Sequence, residues 1–315
     1  MRRGWITVLC VLAVAAGGVF RGTEVLAQQV DLNVSVSNPY LLADERQSVY
    51  LKVGLTGFEL ESGAERPAAN VSIVLDKSGS MEGEKLVRAK EAALLAVDML
   101  EDRDIVSVVT YSDTVSVLVP ATRVSERRYI RRRIESIFAG GSTALFAGVS
   151  KGADEVSKFL ERNKVNRVIL LSDGLANVGP DSPMALGSLG ESLRRTGISV
   201  STIGLGLGYN EDLMVALAER SDGNHAFVEN YRDLTRIFQY EFRDILSVVA
   251  QDVEIEIICD ERIVPRRILG RNAEIIGNRV YTSLNQLYSK QEKYLLLELD
   301  IPPFQEGEQL HAARV

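Results

Sequence analysis

An apolar run at 71–75 stops at Asp76 and is followed by Lys77-Ser78-Gly79-Ser80-Met81, before a helical pattern starts near Glu84. Asp76, Ser78 and Ser80 place one carboxylate and two hydroxyls at every second position. Alternate residues of an extended loop can point the same way, so a D-x-S-x-S spacing can deliver three oxygens to one point. Hard divalent cations take oxygen ligands, and Mg²⁺ asks for near-octahedral geometry with positions left to water or a partner. Gly79 supplies the backbone freedom of a tight turn. Taken alone, the same residues also read as ordinary helix capping. Two further stretches carry matching chemistry. Thr143 lies in Gly140-Gly141-Ser142-Thr143-Ala144, ahead of another helical pattern, and Asp173 ends the apolar run Val168-Ile169-Leu170-Leu171-Ser172.

Such residues need elements to position them. Leu86, Ala89, Ala93, Val97 and Leu100 recur three and four apart, the apolar stripe of a helix. Strand-like runs at 71–75, 105–111, 115–119, 168–171, 198–205 and 226–228 alternate with helical patterns at 127–138, 145–160, 184–195, 212–220 and 234–249. This alternation predicts an α/β fold with a doubly wound, mostly parallel sheet. Continuous apolar runs such as Val168-Ile169-Leu170-Leu171 suit strands buried on both faces. In open sheets of this kind, ligands bind outside the carboxyl ends of the strands. Asp76 and Asp173 sit at such ends, and Ser78, Ser80 and Thr143 sit in loops entering helices. The fold is therefore expected to gather all five at one rim.

The combined set of Asp76, Ser78, Ser80, Thr143 and Asp173 resembles the metal-ion-dependent adhesion site of von Willebrand factor type A domains, and the likeness extends over residues 68–249. The resemblance implies a Rossmann-like α/β domain that binds Mg²⁺, with Mn²⁺ or Ca²⁺ as alternatives. It implies direct ligation by Ser78 and Ser80, with Thr143 as a further candidate, and roles for Asp76 and Asp173 largely through bound water. Carboxylates held back in this way leave an ion under-neutralised and receptive to an Asp or Glu from a protein partner. The implied function is a metal-dependent protein-binding or adhesion module. The alternative is a structural or assembly subunit of an envelope, channel or transporter complex held through the same site.

On both flanks the periodicity changes to two. Leu32, Val34 and Val36, then Val49, Leu51, Val53 and Leu55, alternate with polar or small residues, as do Val253, Ile255 and Ile257, and Leu295, Leu297 and Leu299. This is the pattern of half-buried strands. Two strands alone are marginal in water, so the strands of 250–315 are expected to pair with those of 30–61. The expected organisation is a secretory leader at 1–27, N-terminal strands at 28–66, the α/β domain at 67–249, and strands at 250–315 that complete a β-sandwich around the insertion. The ending at 309–315 reads as the start of another strand. This layout resembles inter-α-trypsin-inhibitor heavy chains and related secreted bacterial proteins.

The start combines Met1-Arg2-Arg3, an apolar stretch from Trp5 to Phe20, and Val25-Leu26-Ala27 before a cut after Ala27. An uncleaved anchor is the alternative, but the stretch is short against the roughly 20 residues of a membrane span. A secreted, periplasmic or cell-envelope location follows, with no span left after cleavage. The remaining 33 basic and 42 acidic residues, a net charge of −9, argue against nucleic-acid binding. Cys259 alone survives processing, so no internal disulfide is available. Only His225 and His311 are present, with no Cys–His spacing, which points away from zinc.

Catalysis is not expected. No base or second metal set joins the five residues, the strand ends at Asp76 rather than at a nucleophile elbow, and no G-x-x-x-x-G-K-[ST] loop is present. Lys77 reads as a solvated loop lysine or a cation that steers an acidic partner. Asp113 reads as a turn residue, His225 as structural, and Arg127, Arg128, Arg131, Arg132 and Arg133 as a solvated helix face. Tyr209-Asn210-Glu211-Asp212 reads as a helix cap.

Overall fold

The alternating N-terminal stretches become strands in the computed structural model, which describes residues 5–9, 30–59, 66–173, 176–271 and 273–315. They are β1 (Trp5–Leu9), β2 (Val30–Val36), β3 (Tyr40–Leu42) and β4 (Gln47–Gly57). The expected leader lies outside the described residues apart from β1, which pairs antiparallel with β3. In β4 the alternating Val49, Leu51 and Val53 are buried and Ser48 and Tyr50 are exposed, as a one-faced strand requires. The chain divides into two units, one of Gly63–Gln251 and one formed by Met1–Ser62 with Asp252–Val315.

The first of these is the α/β unit. In chain order it contains β5 (Ala68–Asp76), α1 (Glu84–Met99), β6 (Ile105–Tyr111), β7 (Val115–Arg123), α2 (Arg127–Glu135), α3 (Leu145–Ser157), β8 (Lys164–Ser172), α4 (Pro183–Arg195), β9 (Ser199–Leu205), α5 (Glu211–Arg220), β10 (His225–Val228) and α6 (Leu234–Leu246). Its six-stranded sheet runs β10-β9-β8-β5-β6-β7. All neighbours are parallel except β7, which returns antiparallel beside β6. Every residue of β6 and β9 is buried, and so are all but the first of β5 and β8, which is why these stretches read as continuous apolar runs.

Several helices end sooner than their apolar periodicity suggests. In α2 the Ser136 hydroxyl donates to the Arg133 carbonyl at 2.7 Å, closing the last turn before residue 138. At the end of α6, Ser247 does the same to Asp244, and the β-branched pair Val248-Val249 starts the next strand. Among the described residues no helix is long and apolar enough to cross a membrane.

The arginine-rich helix α2 departs from the expected solvated face. Arg127 donates to the carbonyls of Val97 and Leu100 at the end of α1, where orphan carbonyls and the helix dipole both favour a cation. Arg131 grips both oxygens of Asp98, and Arg133 donates to Leu118. Arg128, Arg132 and Arg133 are exposed, as the solvated reading expects.

The flanking unit continues with β11 (Val248–Cys259), which begins in the α/β unit, then β12 (Val264–Leu269), β13 (Glu274–Ile276), β14 (Arg279–Tyr288), β15 (Glu292–Ile301), β16 (Gln309–His311) and β17 (Ala313–Arg314). One four-stranded sheet, β12-β15-β4-β2, interleaves both flanks, with Val53 opposite Leu295 and Leu51 opposite Leu297. The other, β13-β14-β11-β17, draws only on the C-terminal flank. The expectation that the strand of Val253, Ile255 and Ile257 pairs with the N-terminal strands is therefore corrected. Both edges of β4 are taken, by β2 and β15, and β11 lies between β14 and β17 of its own flank instead.

A buried carboxylate anchors the start of β5. Asp104 is fully buried and accepts bonds from both terminal nitrogens of Arg66 at 2.6 and 3.1 Å, from Ala69 N at 2.8 Å and from Glu101 N at 2.7 Å. Burial alone pushes its pKa up, but the bonds from Arg66, Ala69 and Glu101 and the guanidinium charge outweigh burial and hold it below its ordinary value. A carboxyl depressed in the folded state stabilises above its unfolded pKa and loses that contribution as pH falls through the folded value. Asp104→Asn is expected to cost about 3–5 kcal/mol at neutral pH, because it strands the Arg66 charge. Urea unfolding from pH 7 to pH 3 should show the gap between wild type and variant closing below about pH 4. A gap independent of pH would contradict the assignment.

Candidate metal-binding rim

The parallel register aligns the strand ends. Asp76 lies beside Tyr111 in β6, and Leu75 pairs with Leu171, so Ser172 and Asp173 emerge next to Asp76. Asp76 is fully buried, and its two oxygens are held separately. Oδ1 accepts the Ser78 N–H at 2.8 Å and Oδ2 accepts the Ser172 hydroxyl at 2.7 Å. Burial raises its pKa, and the bonds from Ser78 and Ser172 pull the other way, so the net displacement is upward.

Beyond Asp76 the chain makes a short 3₁₀ turn, Gly79–Met81, whose apolar Met81 is buried beneath it. The turn brings Ser78 Oγ to 3.0 Å from Ser80 Oγ, and Ser80 Oγ donates to Asp173 Oδ1 at 2.7 Å. A hydroxyl has one proton. With the Ser80 proton given to Asp173, the Ser78 hydroxyl must donate to Ser80. The result is a directed relay, Ser78 to Ser80 to Asp173, that leaves two lone pairs on the Ser78 oxygen and one on the Ser80 oxygen without a donor among the described residues. Ser78 is buried and Ser80 is exposed, so the relay opens to solvent at Ser80.

The fourth expected segment is tied in through its backbone. Gly79 N donates to Gly141 O at 2.9 Å and Gly140 N to Lys77 O at 2.7 Å, stitching the loop before α3 to the serine turn. Gly141 adopts φ 89°, and a Cβ there would lie 2.4 Å from Asp113 Oδ2, so only glycine fits. Asp113 Oδ1 in turn accepts Ser142 N at 2.7 Å, which makes it the turn residue expected. Thr143 is buried, and its backbone exchanges bonds with Asn177, Thr143 N to Asn177 Oδ1 at 2.8 Å and Asn177 N to Thr143 O at 3.2 Å.

The structure thus brings Asp76, Ser78, Ser80 and Asp173 into one hydrogen-bonded network. Thr143 is placed at the same rim by its loop, but its hydroxyl is not a member of that network. Among the described residues, no three His, Cys, Asp or Glu side chains gather as a metal cluster. The rim's distinctive donors are hydroxyls backed by two carboxylates, and this all-oxygen set fits a hard cation such as Mg²⁺.

Three neighbours carry no sequence signal of their own. Lys85, on the first turn of α1, places its ammonium on Asp173 Oδ2 and also donates to Ser80 O at 3.2 Å. The Asp173 side chain has no exposed surface and Lys85 retains 31%. Tyr111 is fully buried under the site, with a hydroxyl that meets no hydrogen-bond partner among the described residues, and burial followed by the charge of Asp76 pushes its pKa well above the ordinary value. Its ring packs on Gly148 of α3, where a Cβ would come within 2.7 Å of the ring. Asn177 is the third, visible only once the loops are folded.

The remaining readings resolve locally. Lys77 Nζ donates to Ser112 Oγ at 3.1 Å. The Thr202 hydroxyl spends its proton on Met214 O, so His225 donates from Nδ1 to Thr202 Oγ1 at 2.8 Å and accepts the Tyr209 hydroxyl on Nε2 at 3.1 Å. Burial lowers its pKa; it is a neutral structural histidine. Asn210 caps α5 by accepting Leu213 N.

Comparison with known proteins agrees with the α/β fold. The model of the von Willebrand factor type A domain family matches residues 70–240. Protein YfbK of Escherichia coli K12, whose own function is uncharacterised, is 32% identical over 67% of this chain and 37% of its own length. Human inter-alpha-trypsin inhibitor heavy chain H3 is 27% identical over 59% of this chain and 22% of its own. The chain therefore spans well under half of either relative. Among solved structures, a von Willebrand factor type A protein from Catenulispora acidiphila superposes with a TM-score of 0.75 at 17% identity, covering 92% of this chain and 70% of that one.

Lys85 sets its ammonium against the Asp173 carboxylate, whose side chain has no exposed surface. Lys85→Met is expected to destabilise the protein by about 1–3 kcal/mol in chelator-treated buffer, less than a fully buried pair because water still reaches the ammonium. An unchanged urea midpoint for the variant would show that Asp173 needs no counter-charge.

Proposed function

Since the chain belongs to the von Willebrand factor type A domain family, we propose that its rim binds a divalent cation, Mg²⁺ in the first instance, and through it an acidic side chain of a protein partner. Domains of this family generally mediate protein–protein interaction and adhesion, often through a metal site. The observation that carries the reading is the hydroxyl relay. Ser78 and Ser80 keep lone pairs turned away from their donors while Asp76 and Asp173 already accept protein hydrogen bonds at both of their oxygens.

Ser78 and Ser80 would hold the ion directly, with Thr143 as the third hydroxyl, and Asp76 and Asp173 would orient water around it. Bound there, the ion supplies a positive centre with a position left for a partner's Asp or Glu. Asp76 holds the serine turn in shape through the Ser78 N–H. Asp173 polarises Ser80 through one oxygen and Lys85 occupies the other, so the serine side of the site faces an incoming acid. This is binding chemistry, and the reading assigns no catalytic step.

Calorimetry with Mg²⁺, Mn²⁺ and Ca²⁺ should show saturable binding by the wild type and at least a ten-fold weaker interaction for Asp76→Ala, about 1.4 kcal/mol or more. Equal metal binding by both proteins would end the proposal. Partner capture with and without EDTA separates the two roles. Release on chelation supports reversible adhesion, and retention supports a permanent assembly contact.

We also propose that the protein works outside the cytoplasm, on the strength of the basic head, apolar stretch and Val25-Leu26-Ala27 ending at its start. The intact mass of the chain purified from its native compartment should correspond to a start at Gln28. A mass that includes residues 1–27 would count against export by cleavage.

A further inference from the structure

Away from the rim, the flanking unit has a cleft of about 640 Å³ lined by Arg46, Ser48, Arg266, Arg267, Glu298 and Asp300, among others. Its walls come from three adjacent strands and from Arg46, just ahead of β4. Ser48 pairs with Asp300 and Tyr50 with Glu298 across β4 and β15, and β12 lies on the other side of β15. In a regular strand, consecutive residues point to opposite faces. Here the register of β12 slips between Pro265, opposite Leu299, and Arg267, opposite Glu298, leaving Arg266 as the extra residue of a β-bulge. The burial of β12 follows: Pro265 and Ile268 are buried, and the two arginines between them are both exposed. The bulge thus turns two successive guanidiniums to the solvent side of the sheet, the re-aiming for which bulges are known.

The charges that meet there do not balance. Arg266 Nη2 and Arg46 Nη1 both bond to one oxygen of Asp300, Oδ2, while Arg267 Nε bonds to Glu298 Oε2 at 2.8 Å. Three guanidiniums face two carboxylates, leaving one positive charge. Asp300 is nearly buried, with 9% of its side chain exposed, so the carboxylate is fixed while the arginine forks reach into the cleft. Arg46 and Arg266 each spend one of five N–H donors on Asp300, and paired guanidinium donors match a carboxylate edge to edge.

We propose that this cleft is a second binding site, taking a single carboxylate that bridges Arg46 and Arg266 from the side opposite Asp300. It is independent of the rim site, because every residue it uses lies in the flanking unit. A carboxylate of one charge completes the neutralisation. Because Arg46 and Arg266 keep 66% and 50% of their surface in water, the interaction is weak and salt-sensitive for an isolated group.

Titration of the full chain, followed by NMR of the arginine Nε–H resonances at low ionic strength, tests this with two probes, acetate and a short peptide carrying one glutamate. Saturable shifts confined to Arg46 and Arg266 are expected, weakened about ten-fold or more in Arg266→Ala and unchanged in Asp76→Ala. Arg46→Lys, which keeps charge but loses the fork, should fall between wild type and Arg266→Ala. A peptide that binds more tightly than acetate identifies a protein side chain as the source, and equal binding identifies a free carboxylate. Shifts that do not saturate, that persist in Arg266→Ala, or that appear with inorganic phosphate and not with either carboxylate would overturn the proposal. Both arginines are half or more exposed, and unchanged circular dichroism would show that the variants fold.

Discussion

A carboxylate without water sits at the end of the central strand, and much of the α/β unit is arranged to satisfy it. Asp76 has no exposed surface, and an ionised group in that position survives only with hydrogen bonds to its charged form. One comes from its own chain two residues on, which bends the backbone into the serine turn. The other comes from Ser172 on the neighbouring strand, which ties the site to the pairing of β5 with β8. A slip of one residue between those strands would send Ser172 to the opposite face and remove the bond. The register of the sheet and the shape of the turn are therefore one constraint seen from two sides.

The second carboxylate is handled differently. Asp173 is equally withdrawn from water but carries a lysine on one oxygen and a serine hydroxyl on the other. Two acids at one rim thus have unlike supports, backbone and hydroxyl donors for Asp76 and a cation for Asp173. Between them the two serine hydroxyls pass one proton each toward Asp173, which leaves their oxygens able to accept or ligate further. The polarity of the network, more than its composition, distinguishes this rim from a run of helix caps.

The order of strands and helices was legible because burial on both faces leaves continuous apolar runs, and because the helix of Leu86, Ala89, Ala93 and Val97 repeats its stripe cleanly. The spacing of Asp76, Ser78 and Ser80 was visible for a similar reason, since three donors in one turn must be close in sequence. Lys85, Tyr111 and Asn177 left no trace because each reaches the site from another element by tertiary packing. The pairing of β11 was misread because alternation reports which face is buried and not which edge is free. The bulge at Arg266 was hidden for a related reason. Two adjacent arginines in a strand look like one inward and one outward until the register is known.

The sheet β12-β15-β4-β2 joins strands made far apart in time, because the whole α/β unit lies between them in the chain, with Val53 facing Leu295 and Ser48 facing Asp300. Contacts between such distant partners form late and slowly. While the intervening residues emerge and acquire structure, β4 has one long edge with nothing beside it, and unpaired edges invite association with other chains. Nascent protein should thus depend on holding factors for longer than its α/β portion alone would, and truncation before residue 292 should leave a product prone to aggregate.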